Sequence, residues 1–358
     1  MLCYNQHSIK LSANKKGGKG FFMLDLQKEF IEFHENIKLD DENQKLREKR
    51  DILLKKLKNN ICEDAASYTT FNQGSYAMGT GIYPEDNDYD IDVGIKFNID
   101  KDEYSDPLEP KDWVKDALDG HTKKVEIRRS CVTVTYQEDG EPAYHVDFAV
   151  YAANNSDEKM YIAKGKPYSD EEHRYWEVSD PQGLIKEIKD KYSGDDAAQF
   201  RRVIRYMKKW KNHNFSSSGD SAPTGIAITI LAYDGGFDIK KTYDWATGKN
   251  VYDDFSALYY FVNHIRNRFT YGWSNNAQQM CHKITLNLPV EPYNNLFDKM
   301  TDKQMEEFYQ KIDKMLGKLN EVKSKVKRSE ACTILVELFG EDFPITVDKS
   351  MVGTSESA

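Results

Sequence analysis

The ten residues DYDIDVGIKF, 88–97, alternate polar and apolar side chains with a period of two. That is the pattern of a β-strand with one face in a core. Asp90 and Asp92 then leave one face of the strand, and Ile91 and Val93 leave the other. Two carboxylates so close together repel, and each raises the pKa of the other unless a cation sits between them. A later stretch, AYHVDFAVY at 143–151, reads the same way. Tyr144, Val146, Phe148 and Val150 form its apolar face, so Asp147 points the opposite way, alongside His145. If the two strands are neighbours, three carboxylates converge, which is the hard-oxygen environment that Mg²⁺ prefers. Two such ions about 3.5–4 Å apart clamp the attacking and leaving oxygens of an in-line phosphoryl transfer.

Upstream, NQGSYAMGTGI at 72–82 closes a β-rich stretch with Gly74-Ser75 and then offers Gly79-Thr80. A glycine lets backbone approach phosphate closely, and the N–H groups that follow, with the Ser75 hydroxyl, can donate to phosphate oxygens. A Gly-Ser pair alone carries little information. Placed ahead of two alternating aspartates, with a third on a later strand, it becomes specific.

The rest of the chain divides by texture. Residues 1–22 are polar and rich in Gly and Lys, and read as an extended arm; 41–57 has helix-forming composition. Strands and one short helix follow as far as about 166. After Asp180-Pro181, an N-cap followed by proline at the first helical position, helices are expected near 181–191, 195–213, 223–233, 252–268, 301–327 and 329–339. In AQFRRVIRYMKKW, 198–210, Phe200, Val203, Ile204, Met207 and Trp210 form a buried stripe at about 100° per residue. Lys208 borders that stripe and could reach across a cleft to phosphate, whereas Lys209 falls on the far side and is expected in solvent. Pro223-Thr224 opens the next helix, where free N–H groups and a hydroxyl suit a phosphate oxygen.

The net charge of −9 argues against tight, nonspecific binding of long nucleic acid. The mean hydropathy of −0.74 describes a well-solvated surface. No apolar run approaches the roughly 18 residues of a membrane span, and the N-terminus lacks the apolar segment of a signal peptide. The five cysteines, Cys3, Cys62, Cys131, Cys281 and Cys332, are scattered, with no C-x-x-C, which fits neither a disulfide framework nor a zinc site. A cytoplasmic location is expected.

Gly74-Ser75, Asp90-x-Asp92 and Asp147 resemble the signature of the nucleotidyltransferase superfamily that includes DNA polymerase beta. The string GSYAMGT…DYDID, with DPQGLIKEI and RRVIRYMKKW downstream, is similar to the bacterial CD-NTases, the cyclic-oligonucleotide synthases of anti-phage CBASS systems and relatives of cyclic GMP-AMP synthase. The resemblance implies an α+β fold: a polymerase-beta-like core of mixed sheet and helices at 1–190, a helical lobe at 191–345 and a flexible tail at 346–358. It implies that Gly74, Ser75, Lys208 and Thr224 bind the donor nucleotide. Asp90, Asp92 and Asp147 would hold two Mg²⁺ ions, with Mn²⁺ as an alternative, and Asp147 would also assist deprotonation of the acceptor hydroxyl. The substrates would be NTPs and the product a cyclic di- or trinucleotide that acts on a downstream effector. Some members are joined through their C-terminus to a target by a partner resembling ubiquitin-transfer enzymes, and Ala358 is a small final residue. Neither a membrane nor a duplex-DNA activator is expected, since the zinc-binding insertion of the animal DNA sensor is absent. The alternatives are a linear oligonucleotide synthase, another nucleotidylating enzyme, or a non-catalytic nucleotide-binding module.

Overall fold

In a computed structural model, the described residues are 24–39, 42–84, 89–122, 124–138, 141–216 and 222–346. The first half builds a mixed sheet from β1 (Tyr68–Asn72), β2 (Tyr89–Phe97), β3 (Lys124–Ile127), β4 (Val132–Glu138), β5 (Glu141–Ala152), β6 (Tyr161–Lys164) and β7 (Tyr175–Val178). The order is β1-β2-β5-β4-β3, and β6 and β7 continue from the end of β5. Only β2 and β5 run parallel; the other neighbours are antiparallel. A parallel pair needs a long crossover, and the chain supplies it through α4 (Leu108–Leu118), β3 and β4.

The alternation in β2 and β5 decides which face is covered. Ile91, Val93, Ile95 and Phe97, with Val146, Phe148 and Val150, pack on Leu46, Leu53 and Leu57 of α2 (Glu42–Asn60) and on Val114 and Leu118 of α4. The opposite face carries the carboxylates and meets α3 (Gly74–Met78), a single turn.

The second half is helical: α5 (Pro181–Asp190), α6 (Gly194–Asn214), α7 (Gly225–Leu231), α8 (Asp254–Arg268), α9 (Asp302–Ser324) and α10 (Arg328–Phe339). Asp180 caps α5 by accepting from the Gly183 N–H. Hairpins β8–β9 (Lys241–Asp244, Lys249–Tyr252) and β10–β11 (Thr270–Ser274, Gln279–Lys283), not foreseen from sequence, flank the two ends of α8. Asp254 is fully buried and accepts from Arg202, Gln199 and Tyr206, so α6 and α8 share one neutralised charge.

One helix sits where the sequence reading did not place it. The reading assigned residues 1–190 to the nucleotidyltransferase core, yet α1 (Gln27–Ile37) packs with the helical half. Phe30 meets Tyr206, Phe255 and Phe343, and Phe33 stacks on Tyr206 and touches Phe339. Both phenylalanines are wholly buried, so truncating either to Ala would cost about 3–5 kcal/mol. The apolar spacing of α1 is local, but its partners lie at the other end of the chain. The expected flexible tail, 346–358, lies outside the described residues except for Thr346, as does the expected arm at 1–22.

Candidate active site

The parallel register of β2 and β5 sets Asp92 directly opposite Asp147 and Asp90 opposite His145. Oxygens of Asp90, Asp92 and Asp147 lie within 4.8 Å of one another. Asp90 is exposed, and the other two are half-buried. Burial first, and then the Asp147 carboxylate beside it, hold the Asp92 carboxyl above its usual range. A divalent cation would remove that repulsion, and the donor set is all carboxylate oxygen, so the three residues could hold a hard metal ion. A second group, Asp170, Glu172 and His173, is wholly exposed on the β6–β7 connection.

Gly74 begins α3 at φ +68°, and a Cβ there would fall 1.7 Å from Asp92 Oδ2. The turn therefore lies directly against the carboxylate, and only glycine fits both the space and the conformation. The preceding residue, Gln73, fastens the turn twice. Its N–H donates to the Asp92 carbonyl at 3.0 Å, and its side chain accepts from the buried Tyr151 hydroxyl at 2.8 Å. Ser75 follows in the first turn of α3, and its hydroxyl faces the Gly81 Cα.

From the helical half, α6 crosses over residues 79–81. The Arg201 side chain lies where a Gly79 side chain would go, Arg205 donates to the Gly81 carbonyl, and Lys208 donates to the Thr80 carbonyl and hydroxyl. The spacing of these three residues puts them on one helix face. Burial, then Arg205 and Lys211, push the Lys208 ammonium down to about 7. Gly225 of α7 packs on the Lys208 side chain, and its neighbour Thr224 is the N-cap, accepting from the Ala227 N–H. Thus Lys208 and Thr224 lie close together, beside the turn that carries Gly74 and Ser75.

Lys209 requires a correction. It was expected in solvent, but it is 7 % exposed and pairs with Asp342 at 2.6 Å. The helical wheel assumed one buried face, whereas α6 is central, with the α10 end of the chain covering its other side.

Sequence reasoning passed over Thr133. It stands opposite Asp147 on β4, is fully buried, and donates to Asp147 Oδ1 at 2.5 Å. The alternation VTVTY could have placed it on the carboxylate face. Cys131 Sγ lies 3.5 Å from the same hydroxyl, and burial, then Asp147, push this thiol up to about 12.

Residues 69–151 match the model of the family described as the nucleotidyltransferase domain of Cyclic GMP-AMP synthase DncV-like proteins. A cyclic GMP-AMP synthase of Escherichia albertii is 29% identical over 169 residues, 44% of this chain and 35% of that one. The match to this relative therefore spans about a third of its length. A c-di-GMP synthase of Roseivirga ehrenbergii is 23% identical over 302 residues, 76% of this chain and 72% of that one. In structure, the Vibrio cholerae DncV cyclic AMP-GMP synthase superposes with a TM-score of 0.65 at 15% identity, over 89% of this chain and 97% of that one. This last likeness establishes the fold.

Proposed function

We propose that this chain, whose residues 69–151 match a DncV-like nucleotidyltransferase domain, is a bacterial CD-NTase that joins NTPs into a cyclic di- or trinucleotide. The observation that carries this reading is the Asp92–Asp147 pairing in register, with Asp90 beside it and Gly74 packed on Asp92.

In this reading Gly74 and Ser75 present backbone N–H groups and a hydroxyl to the donor triphosphate, and Lys208 and Thr224 meet it from the helical side. Asp90, Asp92 and Asp147 would hold two Mg²⁺ ions, which when bound would polarise the α-phosphate and neutralise the charge on the departing pyrophosphate. Asp147 accepts the proton of the 3′- or 2′-hydroxyl of the acceptor. The freed oxygen bonds to the α-phosphorus as the bond to pyrophosphate breaks. A second round on the linear product closes the ring. The biological setting that fits is anti-phage signalling through a cyclic-nucleotide effector, with a regulatory partner at the C-terminus.

The test is incubation of the purified chain with four α-labelled NTPs and Mg²⁺ or Mn²⁺, then phosphatase treatment and mass spectrometry. A phosphatase-resistant cyclic product, absent with Asp90→Ala/Asp92→Ala, is expected. Phosphatase-sensitive product alone would favour a linear synthase. Pyrophosphate release that persists in the double variant would place the chemistry elsewhere.

A further inference from the structure

We propose that Thr133 is a positioning residue for Asp147, holding one carboxylate oxygen so that the other is presented to the metal ions. The proposal rests on the metal-site reading of Asp90, Asp92 and Asp147 given above.

Three observations carry it. The antiparallel register places the Thr133 Cα directly across from that of Asp147, on the strand flanking β5 on the side away from β2. The two aspartates and the threonine thus form one row across three strands, Asp92–Asp147–Thr133. The contact itself is short, 2.5 Å from hydroxyl to Oδ1, as expected where the acceptor is ionised. Thr133 is wholly buried, and a β-branched side chain has few rotamers open to it, so the donor cannot swing away. A carboxylate pinned at one oxygen loses rotation about its χ2 and reaches a metal through the other.

The bland alternative is a buried hydroxyl that takes the nearest acceptor to avoid being stranded. The same strand argues against it. Thr135 lies two residues along, on the same face and nearly as buried, and its hydroxyl has no partner among the described residues. Burial on this face therefore does not by itself bring a protein partner to a threonine hydroxyl. What separates the two positions is what stands opposite: Asp147 for Thr133 and His145 for Thr135.

Thr135 also supplies a matched control. Thr133→Val, Thr133→Ser, Thr135→Val and Asp90→Ala/Asp92→Ala would be titrated with Mn²⁺ alone by electron paramagnetic resonance, without NTP, alongside melting curves. Partners that orient a metal ligand are worth roughly 10–100-fold in metal affinity. Thr133→Val should lose that much, Thr133→Ser should recover to within about threefold of wild type, and Thr135→Val should match wild type. The positioning role is overturned, with the metal site left standing, if the aspartate double variant abolishes Mn²⁺ binding while Thr133→Val binds like wild type. It is equally overturned if Thr133→Val and Thr135→Val lose the same amount, which would mark a packing effect, or if Thr133→Ser is as weak as Thr133→Val. Mn²⁺ binding that survives in the aspartate double variant would overturn the metal-site reading and this proposal together.

Discussion

Lys208 extends from α6 to Thr80 and donates to both its carbonyl and its hydroxyl oxygen, each at 3.0 Å. This contact ties the helical half to the turn after Gly74-Ser75, and it buries an ammonium group whose pKa falls to about 7 as a result. A triphosphate that meets Lys208 favours its charged form and raises that pKa. Below pH 7 the group is already charged, so NTP affinity should be flat. Above pH 7 binding must take up a proton, and affinity should fall by up to about tenfold per pH unit. Lys208→Met should remove this slope and weaken binding at pH 7 by roughly 1.5–3 kcal/mol. Without nucleotide the sign reverses for stability: the unfolded lysine holds its proton up to 10.5 while the folded one releases it near 7. Wild type should therefore gain stability relative to Lys208→Met as pH rises through that window. Calorimetric titration and melting curves over roughly pH 6–10.5, from just below the folded pKa to the unfolded one, would check both.

Lys209→Ala should act on stability and leave nucleotide binding alone. Its partner Asp342 is 44 % exposed in its side chain, so the ion pair is worth about 0.2–1 kcal/mol, with the packing of the lysine stem in addition. Denaturant titration should show the loss, and a wild-type Kd for NTP should accompany it. A wild-type denaturation midpoint would mean the Asp342 contact adds nothing.

Gly74→Ala introduces a Cβ that overlaps Asp92 Oδ2 and forces an L-residue to hold φ +68°. Either the turn or the carboxylate must move, and misplacement of about 1 Å can cost on the order of 100-fold in rate. Turnover should fall at least that far while the melting temperature drops by a few degrees, since overpacking costs about 1–3 kcal/mol. Activity within a few-fold of wild type would show that the close contact is not needed.

Tyr151→Phe removes only the hydroxyl that Gln73 accepts. The cost of one such hydrogen bond is about 1 kcal/mol, and it falls on the residue leading into Gly74. KM for NTP should rise roughly fivefold with kcat little changed. A fall in kcat at constant KM would assign Tyr151 to the chemistry instead.

The carboxylate row was legible because period-two alternation in β2 and β5 displays on the page which side chains share a face. The parallel register that brings Asp92 against Asp147 is not a local property, and only the sheet order supplies it. The helices of the second half were legible from Asp180-Pro181 onward, since caps and apolar spacing are local signals. Lys209 was misread because a helical wheel counts one interface, and α6 has neighbours on several sides. Thr133 was overlooked because nothing in its own strand indicates that an aspartate stands opposite. Gly74 was picked out for its approach to phosphate, while its contact with Asp92 depends on a strand that comes later.

The placement of α1 bears on how the chain is made. Glu29 accepts two hydrogen bonds from Arg328, 299 residues further on. A ribosome adding about 5–20 residues per second leaves roughly 15–60 s between the emergence of those two side chains. The β1–β5 sheet can close within its own stretch during that interval, because β2, β4 and β5 find their partners nearby. Phe30 and Phe33 can meet Tyr206 and Phe255 earlier, but the side of the stripe that Phe339 and Phe343 cover stays open until those residues emerge. A stop codon just before α10 would therefore spare every residue of the candidate active site and still yield a truncated chain whose first helix is only half covered, suited to chaperone capture or proteolysis.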